Sequence, residues 1–229
     1  MRAPDSDTAI AHLAACPLFA ELSPTRLARL AEATTERHHA NGEVIHHKGD
    51  LPAALLVVQS GRIKETCLSP EGDERVIEIL QQGHTCGEAA LLLGQPLPFA
   101  VVALANATLL HIDWTEIHAL LDDEPSFVRR MLSSLSVRLH TLVRDVESYT
   151  LQPPVQRVAG YLADLIEPLA DGSTVPLPAA KKVIASRLGM TPEAFSRALR
   201  DLADAGMIKV SLQRITVKHP RRLRELTLD

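Results

Sequence analysis

Aromatic side chains are scarce in this chain. One Trp, two Tyr and four Phe make up 3% of its 229 residues, so any core must be aliphatic. Cysteine is nearly absent too. Cys16, Cys67 and Cys86 are widely spaced and form no CxxC pair, which argues against a disulfide framework. Three thiolates also cannot supply the four ligands of an iron–sulfur cluster within one chain. No uninterrupted apolar run reaches the ~18 residues needed to span a bilayer. The richest stretch, Phe99 to Ile112, is interrupted by Asn106 and Thr108. "LAAC", ending at Cys16, resembles a lipoprotein cleavage box in its letters only, because Asp5, Asp7 and His12 leave no hydrophobic region ahead of it. A cytoplasmic protein with no membrane partner is expected.

What is present suffices for real cores: 46% of the residues are hydrophobic and 23% charged, as in ordinary soluble proteins. The length fits one large or two modest domains. The net charge of -4 hides an asymmetry. Residues 1–149 carry 12 Lys and Arg against 20 Asp and Glu, a net of -8, whereas residues 150–229 carry 12 against 8, a net of +4. An acidic front and a basic rear suggest two domains, the rear one meeting a polyanion.

Along the chain the texture changes three times. Residues 8–34 read as short helices; in "LSPTRLARLAEA", Ser23 is the N-cap, Pro24 the first helical position, and Leu27, Leu30 and Ala31 the buried stripe. Glycines at 42, 49, 61, 72 and 83 then separate the β-prone runs "EVIHH", "ALLVVQS", "RIKETCL" and "RVIEIL", with "ANGE" and "PEGD" as hairpin signals. Continued through "FAVVAL" and "TLLHI", this pattern predicts a small antiparallel roll or barrel to about residue 112. Helical periodicity returns at Trp114, and Pro125 and Ser126 open a long helix. Along it Val128, Leu132, Leu135, Leu139, Leu142, Val146 and Tyr149 are spaced 4, 3, 4, 3, 4, 3, an a/d heptad seam. A seam this narrow packs on a partner helix, so a parallel homodimer is expected, although a helix can also bury such a stripe on its own domain. Pro153 and Pro154 break the helix and make a natural hinge. The expected domains are therefore residues 1–124, a dimerisation helix at 125–151, and residues 152–229.

In the last of these, Val155 to Leu169 reads as a helix, "TVPLP" as a short strand, Ala179 to Leu188 and Pro192 to Ala205 as two helices about a bend at Gly189, and "GMIKVSLQRITVKH" as a hairpin. The hairpin's apolar beads are Ile208, Val210, Ile215 and Val217. Helix, glycine turn, helix and hairpin make a winged helix-turn-helix pattern. The second helix has an apolar stripe of Ala194, Ala198, Leu199 and Leu202, and a polar face for double-stranded DNA. There Arg197 can fork onto guanine and Glu193, one turn earlier, can accept from cytosine. The same two residues can instead only bridge each other along the helix. Ser196 can meet a neighbouring base, and Thr191 can cap the helix and touch a phosphate. Arg200, Lys181 and Lys182 suit phosphates, or are merely solvated.

Over nearly its whole length the sequence resembles the CRP/FNR family of bacterial transcription regulators. The matching pieces are "PLFAEL", "SGRIKE", "EGDERVIEIL", "GEAALLLG", the heptad helix, "QRVAGYLADL" and "VIASRLGMTPEAFSRALRDLADAGMI". The resemblance implies an α+β chain: an N-terminal antiparallel β-roll sensor like a cyclic-nucleotide-binding jelly roll, a long dimerisation helix, and a C-terminal winged helix-turn-helix reader. It implies a regulator rather than an enzyme, with RNA polymerase as a further partner. The Glu193, Ser196, Arg197 signature is similar to the FNR class and implies a palindrome of TTGAT-like half-sites. Pro192 in "TPEAFSR" resembles the DNR branch, whose members answer to nitric oxide through haem.

For the effector, the resemblance places a pocket at Gly87, Glu88, Leu91, Leu92, Pro98, Phe99 and Val101. In cAMP-binding members Gly–Glu is followed by an Arg–Ser pair that holds the cyclic phosphate. Here that pair falls at Pro98 and Phe99, which offer a phosphate nothing, so no cyclic nucleotide is expected. An FNR-type cluster would need N-terminal cysteines, and only Cys16 is there. Haem remains, with His12 and the Cys16 of a Cys–Pro pair as candidate ligands, in a hydrophobic pocket lined by the apolar wall from Leu91 to Val102 and by the seam helix. The other readings are a cyclic-nucleotide-responsive or effector-independent regulator and, from a different class, a cupin-like metalloenzyme. For the last, the adjacent His46 and His47 point to opposite faces of a strand and lack the His-x-His spacing.

Overall fold

The computed structural model of the protein describes residues 6–166 and 172–227. The chain forms two compact units, the first ending at Leu139 and the second beginning at His140.

The first unit opens with helices α1 (Ser6–Ala15) and α2 (Pro24–Glu32). Ser23 has extended backbone and its hydroxyl accepts from the Arg26 amide, so α2 starts where its cap and Pro24 dictate. Strands β1 (Thr34–His39), β2 (Val44–His46), β3 (Ala54–Ser60), β4 (Arg62–Leu68), β5 (Glu74–Gln81) and β6 (Thr85–Cys86) follow. Helix α3 (Glu88–Leu93) precedes β7 (Ala100–Ala103) and β8 (Ala107–Asp113), and α4 (Trp114–Asp123) leads into α5 (Pro125–Leu151).

The strands make two antiparallel four-stranded sheets, β1-β8-β3-β6 and β2-β7-β4-β5. "ALLVVQS" shows no polar alternation because β3 is covered on both faces. Leu56 and Val58 point into the roll with Ile63, Leu80, Val101 and Leu109. Leu55 and Val57 point out to a second core with Leu13, Phe19, Leu27, Leu30, Ile117, Phe127 and Met131. "PEGD" joins the hairpin partners β4 and β5. "ANGE" does not close a hairpin, because β1 pairs with β8 and β2 with β7, so this turn carries the chain from one sheet to the other. Gly61, between β3 and β4, has φ +78, and a Cβ there would lie 2.4 Å from the Asn106 carbonyl oxygen. Only glycine fits that approach.

Two histidines are buried in this unit. His39 donates through Nδ1 to the Glu43 carboxylate (2.8 Å), and its ring lies 6.0 Å from that of His111. Burial, with the positive neighbourhood of Arg37, His39 and His46, lowers the His111 pKa to about 3. The sign follows. Below pH ~6.5 an unfolded His111 takes up a proton that the folded chain refuses. Its contribution to stability is therefore complete above pH ~6.5 and is lost as the pH falls towards 3. The shift corresponds to about 3–5 kcal/mol across that window. We expect His111→Leu to move the acid unfolding midpoint, followed by far-UV circular dichroism, to lower pH. An unchanged midpoint would show that other groups govern acid unfolding.

The second unit contains the end of α5, then α6 (Pro154–Asp164), β9 (Thr174–Pro176), α7 (Lys181–Arg187), α8 (Pro192–Asp204), β10 (Ile208–Ser211), β11 (Arg214–Val217) and α9 (Pro220–Glu225). The strands form a small antiparallel sheet, β10-β11-β9. Val158, Leu162, Ile184, Phe195, Leu199, Leu202, Ile215 and Leu223 make its core.

Several expectations are corrected here. Helix α6 stops at Asp164 rather than Leu169, which lies outside the described residues. Helix α7 begins at Lys181, not Ala179, because Ala180 is still extended (φ -58, ψ 145) after Pro178. The stripe of α8 is centred on the fully buried Phe195, which the spacing alone passed over, while Ala194 is only half-buried. Val210 of the hairpin is half-buried as well. Helix α9 was not expected at all; Pro220 starts it and Leu223 ties it to the core.

Candidate functional sites: a polar helix face, an aliphatic seam and a carboxylate–arginine cluster

Helix α8 is built to show one face to a partner. Thr191 is extended (φ -74, ψ 156), its hydroxyl accepts from the Ala194 amide (3.2 Å), and Pro192 sits at the first position. With Phe195, Ala198, Leu199 and Leu202 buried, Glu193, Ser196, Arg197 and Arg200 are all exposed. No ion pair joins Glu193 to Arg197 although they stand one turn apart, so both heads are presented outward. Lys181 and Lys182 occupy the first turn of α7, the former half-buried and the latter exposed.

The turn between α7 and α8 is braced from two sides. Gly189 is left-handed (φ +63), and a Cβ on it would touch the Tyr149 ring at 3.4 Å. The Tyr149 hydroxyl donates to the Arg187 carbonyl and accepts from the Arg187 guanidinium, which also pairs with Asp145 (2.7 Å). From α6, Arg157 donates to the Leu188 and Gly189 carbonyls (3.0 and 3.3 Å). Tyr149 is thus a correction to the seam: its hydroxyl end belongs to this bracket.

The rest of the seam divides. Leu132, Leu139, Leu142 and Val146 are 47–65% exposed, and Val143 beside them is exposed as well. Val128 and Leu135 are half-buried, and Leu135 packs on the core of the first unit. The reason is a second stripe that the heptad spacing did not reveal, Phe127 and Met131, which anchors the start of α5 to that core.

A cavity lies between the roll and α5, and the residues named for the effector pocket stand elsewhere. Gly87 caps α3 in a left-handed conformation (φ +99), Leu91 belongs to the outer core and Val101 to the roll interior. Phe99 packs against that interior, while Leu92 and Pro98 are exposed. None of the seven lines the cavity of about 390 Å³, which is bounded instead by Leu18, Leu80, His84, Arg130, Ser134, Val137, Glu78 and Arg138, among others.

Glu88 itself is buried and accepts from the Thr85 hydroxyl and from Arg138 Nη1 (3.2 Å). Arg138 Nη2 reaches both oxygens of the buried Glu65 (3.0 and 3.1 Å) and Oε2 of Glu78 (2.9 Å). Burial raises the Glu65 pKa, and the Arg138 charge opposes that rise. Arg138, unremarked in the sequence, is the cation that Glu65, Glu78 and Glu88 share in the first unit; its only sequence signal was a polar residue inside a helix otherwise read for its apolar seam.

Of the two residues named for haem, Cys16 is the poorer ligand. The Cys16 thiol is buried and donates to the Gly83 carbonyl (3.3 Å), and burial pushes it up to about 11, so no thiolate is offered. His12 stands half-buried in α1 and does not line the cavity. Among the described residues no three His, Cys, Asp or Glu stand where they could hold a metal ion, and no helix is long and apolar enough to cross a membrane.

Comparison with known proteins assigns the two units. Residues 36–124 match the cyclic nucleotide-binding domain family and residues 156–226 the Crp-like helix-turn-helix domain family. The chain is 30% identical over 205 residues to a Lacticaseibacillus casei protein named "Probable transcriptional regulator flp", covering 89% of this chain and 92% of that one. It is 26% identical over 210 residues to the cyclic AMP receptor protein of Thermus thermophilus, covering 92% and 96%. Among solved structures, FixK2 from Bradyrhizobium japonicum superposes with a TM-score of 0.75 at 20% identity, covering 84% of this chain and 96% of that one, a likeness of fold. These matches reach a family of regulators and not an enzyme, which disposes of the cupin reading, and they do not single out a nitric-oxide branch. The chain belongs to the CRP/FNR family of DNA-binding transcription regulators.

Proposed function

We propose that the chain acts as a homodimer that reads a two-fold-symmetric DNA site through α8 and answers to a small effector other than a cyclic nucleotide. The observation that carries the reading is the split of α8 into a fully buried apolar face and an outward face of Glu193, Ser196, Arg197 and Arg200. Arg197 forks onto a guanine, Glu193 accepts from a cytosine, and Lys181, Lys182 and Arg200 hold phosphates. With the Glu–x–x–Ser–Arg signature this favours a TTGAT-like half-site. Two such helices must enter successive major grooves ~34 Å apart, which a dimer zipped along Leu132, Leu139, Leu142 and Val146 can supply.

Against a cyclic nucleotide stand Pro98 and Phe99, which present no phosphate donor, and Glu88, whose carboxylate is occupied by Arg138 and Thr85. Haem ligation through Cys16 is set aside, because burial pushes its thiol up to about 11; His12 is the candidate left. The effector works by favouring the dimer arrangement that binds DNA.

Gel shifts on a TTGAT palindrome and on random DNA test this. Arg197→Ala should lose about 1–3 kcal/mol of discrimination at one guanine while random DNA is bound as before. Lys181→Ala should weaken both DNAs alike and lower the slope of log affinity against log salt by about 0.9. Equal losses on both DNAs for Arg197→Ala would contradict the base-reading role.

A further inference from the structure

The tip of the β10–β11 hairpin departs twice from what stability favours. Ser211 pairs with Arg214, so Leu212 and Gln213 alone make the turn. Leu212 is left-handed (φ 53), and among the described residues it is the only non-glycine with a positive φ. A two-residue hairpin turn whose first residue is left-handed ordinarily puts glycine there, since a Cβ crowds the following carbonyl oxygen. Leu212 is also 91% exposed, more than any other large apolar side chain described. The base of the hairpin is tied down by Ile208, Ile215 and Val217 in the core of the second unit, and Leu212 takes no part in that packing. A strained backbone carrying an exposed leucine is explained by what the leucine meets outside the chain.

The surroundings say what that is. Between Asp204 and Glu225 there is no acidic residue, and Lys209, Arg214, Lys218, Arg221, Arg222 and Arg224 are all exposed. Along the hairpin Ile208, Val210, Ile215 and Val217 share the core face, so Lys209 and Arg214 share the other, next to Leu212. An apolar tip flanked by cations fits a polyanion with an apolar slot between two rows of charge. That is the minor groove of duplex DNA, where sugars wall the space between the phosphates. The hairpin also starts from the proposed reading helix. The Met207 amide donates to the Leu202 carbonyl (3.0 Å) at the end of α8, and the Lys218 amide donates to the Met207 carbonyl (2.8 Å). The same packed unit therefore carries the tip and the outward face of α8.

We propose that the hairpin tip is a second DNA contact: Leu212 enters the minor groove beside the base pairs that α8 reads, and Lys209 and Arg214 hold the phosphates on its two sides. The proposal rests on α8 as the reading helix and adds a specificity element to it. The chemistry selects the flank. The exocyclic amine of guanine stands in the minor groove of G·C pairs, whereas A·T pairs show only acceptors there. A leucine leaves no donor unpaired against A·T pairs, and flexible steps such as TA part most readily around an apolar wedge. The full chain therefore prefers A·T flanks outside its symmetric core, beyond the base pairs assigned to α8.

The test is selection of binding sites from a pool of random duplex DNA by the full chain, wild type and Leu212→Gly, followed by gel shifts on the wild-type site. Glycine takes a φ of 53 without strain, so the variant should melt no lower than wild type. Both proteins should select the same symmetric core, wild type with A·T flanks and the variant with flanks of any composition. On the A·T-flanked site the variant should bind at least about tenfold more weakly, the value of burying one leucine side chain. Leu212→Asn, polar but tolerant of the left-handed backbone, should match the glycine variant. Wild-type flanks of random composition, or equal affinity of wild type and both variants, would overturn the assignment and leave the tip to a protein partner. A lower melting temperature of the glycine variant would overturn it too, by giving Leu212 a role in the fold. A wild-type pool with no symmetric core would refute the reading helix itself, a result distinct from all of these.

Discussion

Replacing Leu139 and Leu142 together by Asp should convert the protein to a monomer and abolish specific DNA binding at concentrations where the wild type is saturated. Both seam residues are exposed large apolar groups, Leu139 at 64% and Leu142 at 47%. Burying one leucine side chain contributes about 1.5–3 kcal/mol. A two-fold interface counts each substitution twice, so four leucines, about 6–12 kcal/mol, are lost. A micromolar dimer is held by only about 8 kcal/mol. Sedimentation of the variant should show one chain per particle with an unchanged far-UV spectrum, because neither leucine packs in the cores of its own chain. A variant that still sediments as a dimer would place the interface elsewhere on the molecule.

Arg138→Leu should destabilise the roll by about 3–5 kcal/mol at pH 8, the usual cost of leaving a buried charge without its partner. Glu65 and Glu88 are 1% and 2% exposed, and Arg138 is the cation common to both. The pH dependence separates this cause from simple loss of packing. Burial already raises the Glu65 pKa against the pull of Arg138; without the guanidinium it rises further. A carboxyl whose folded pKa lies above its unfolded value binds its proton more readily when folded. Stability of the variant should therefore increase as the pH falls from 8 towards the unfolded value near 4.3, where the gain is complete. Urea unfolding at pH 8 and pH 5 checks this. Arg138→Lys should recover part of the loss, since it restores the charge but not the fork. A variant equally destabilised at both pH values would point to packing rather than charge.

How much of this could be read in the letters depends on the range of the interaction. Helix starts were legible where a cap and a proline fix them locally, as at Ser23–Pro24 and Thr191–Pro192. The outward set of α8 followed from its 3.6-residue period. What the period could not show was which of two neighbouring stripes meets which surface. On α5 the heptad spacing drew attention to Leu132 and Leu139 and hid Phe127 and Met131; on α8 it passed over Phe195. In both cases the burial comes from elements distant in the chain.

The pocket shows the same limit more sharply. Gly87–Glu88 was recognised by its letters, and a ligand wall was expected around it. Yet Glu88 bonds a residue 50 positions away and Glu65 one 73 away. No local pattern marks Arg138 as their common partner.

Order along the chain, the helix-turn-helix with its hairpin, and the aliphatic stripe of α5 were legible in the sequence alone, because each rests on residue types and spacings within one or two turns or strands. The third dimension decided which side chains bound the cavity, that Arg138 joins Glu65, Glu78 and Glu88, that Cys16 is sealed, and that Tyr149 braces the turn before α8. Those properties depend on desolvation and on charges brought together by folding, and neither exists until the chain has closed on itself.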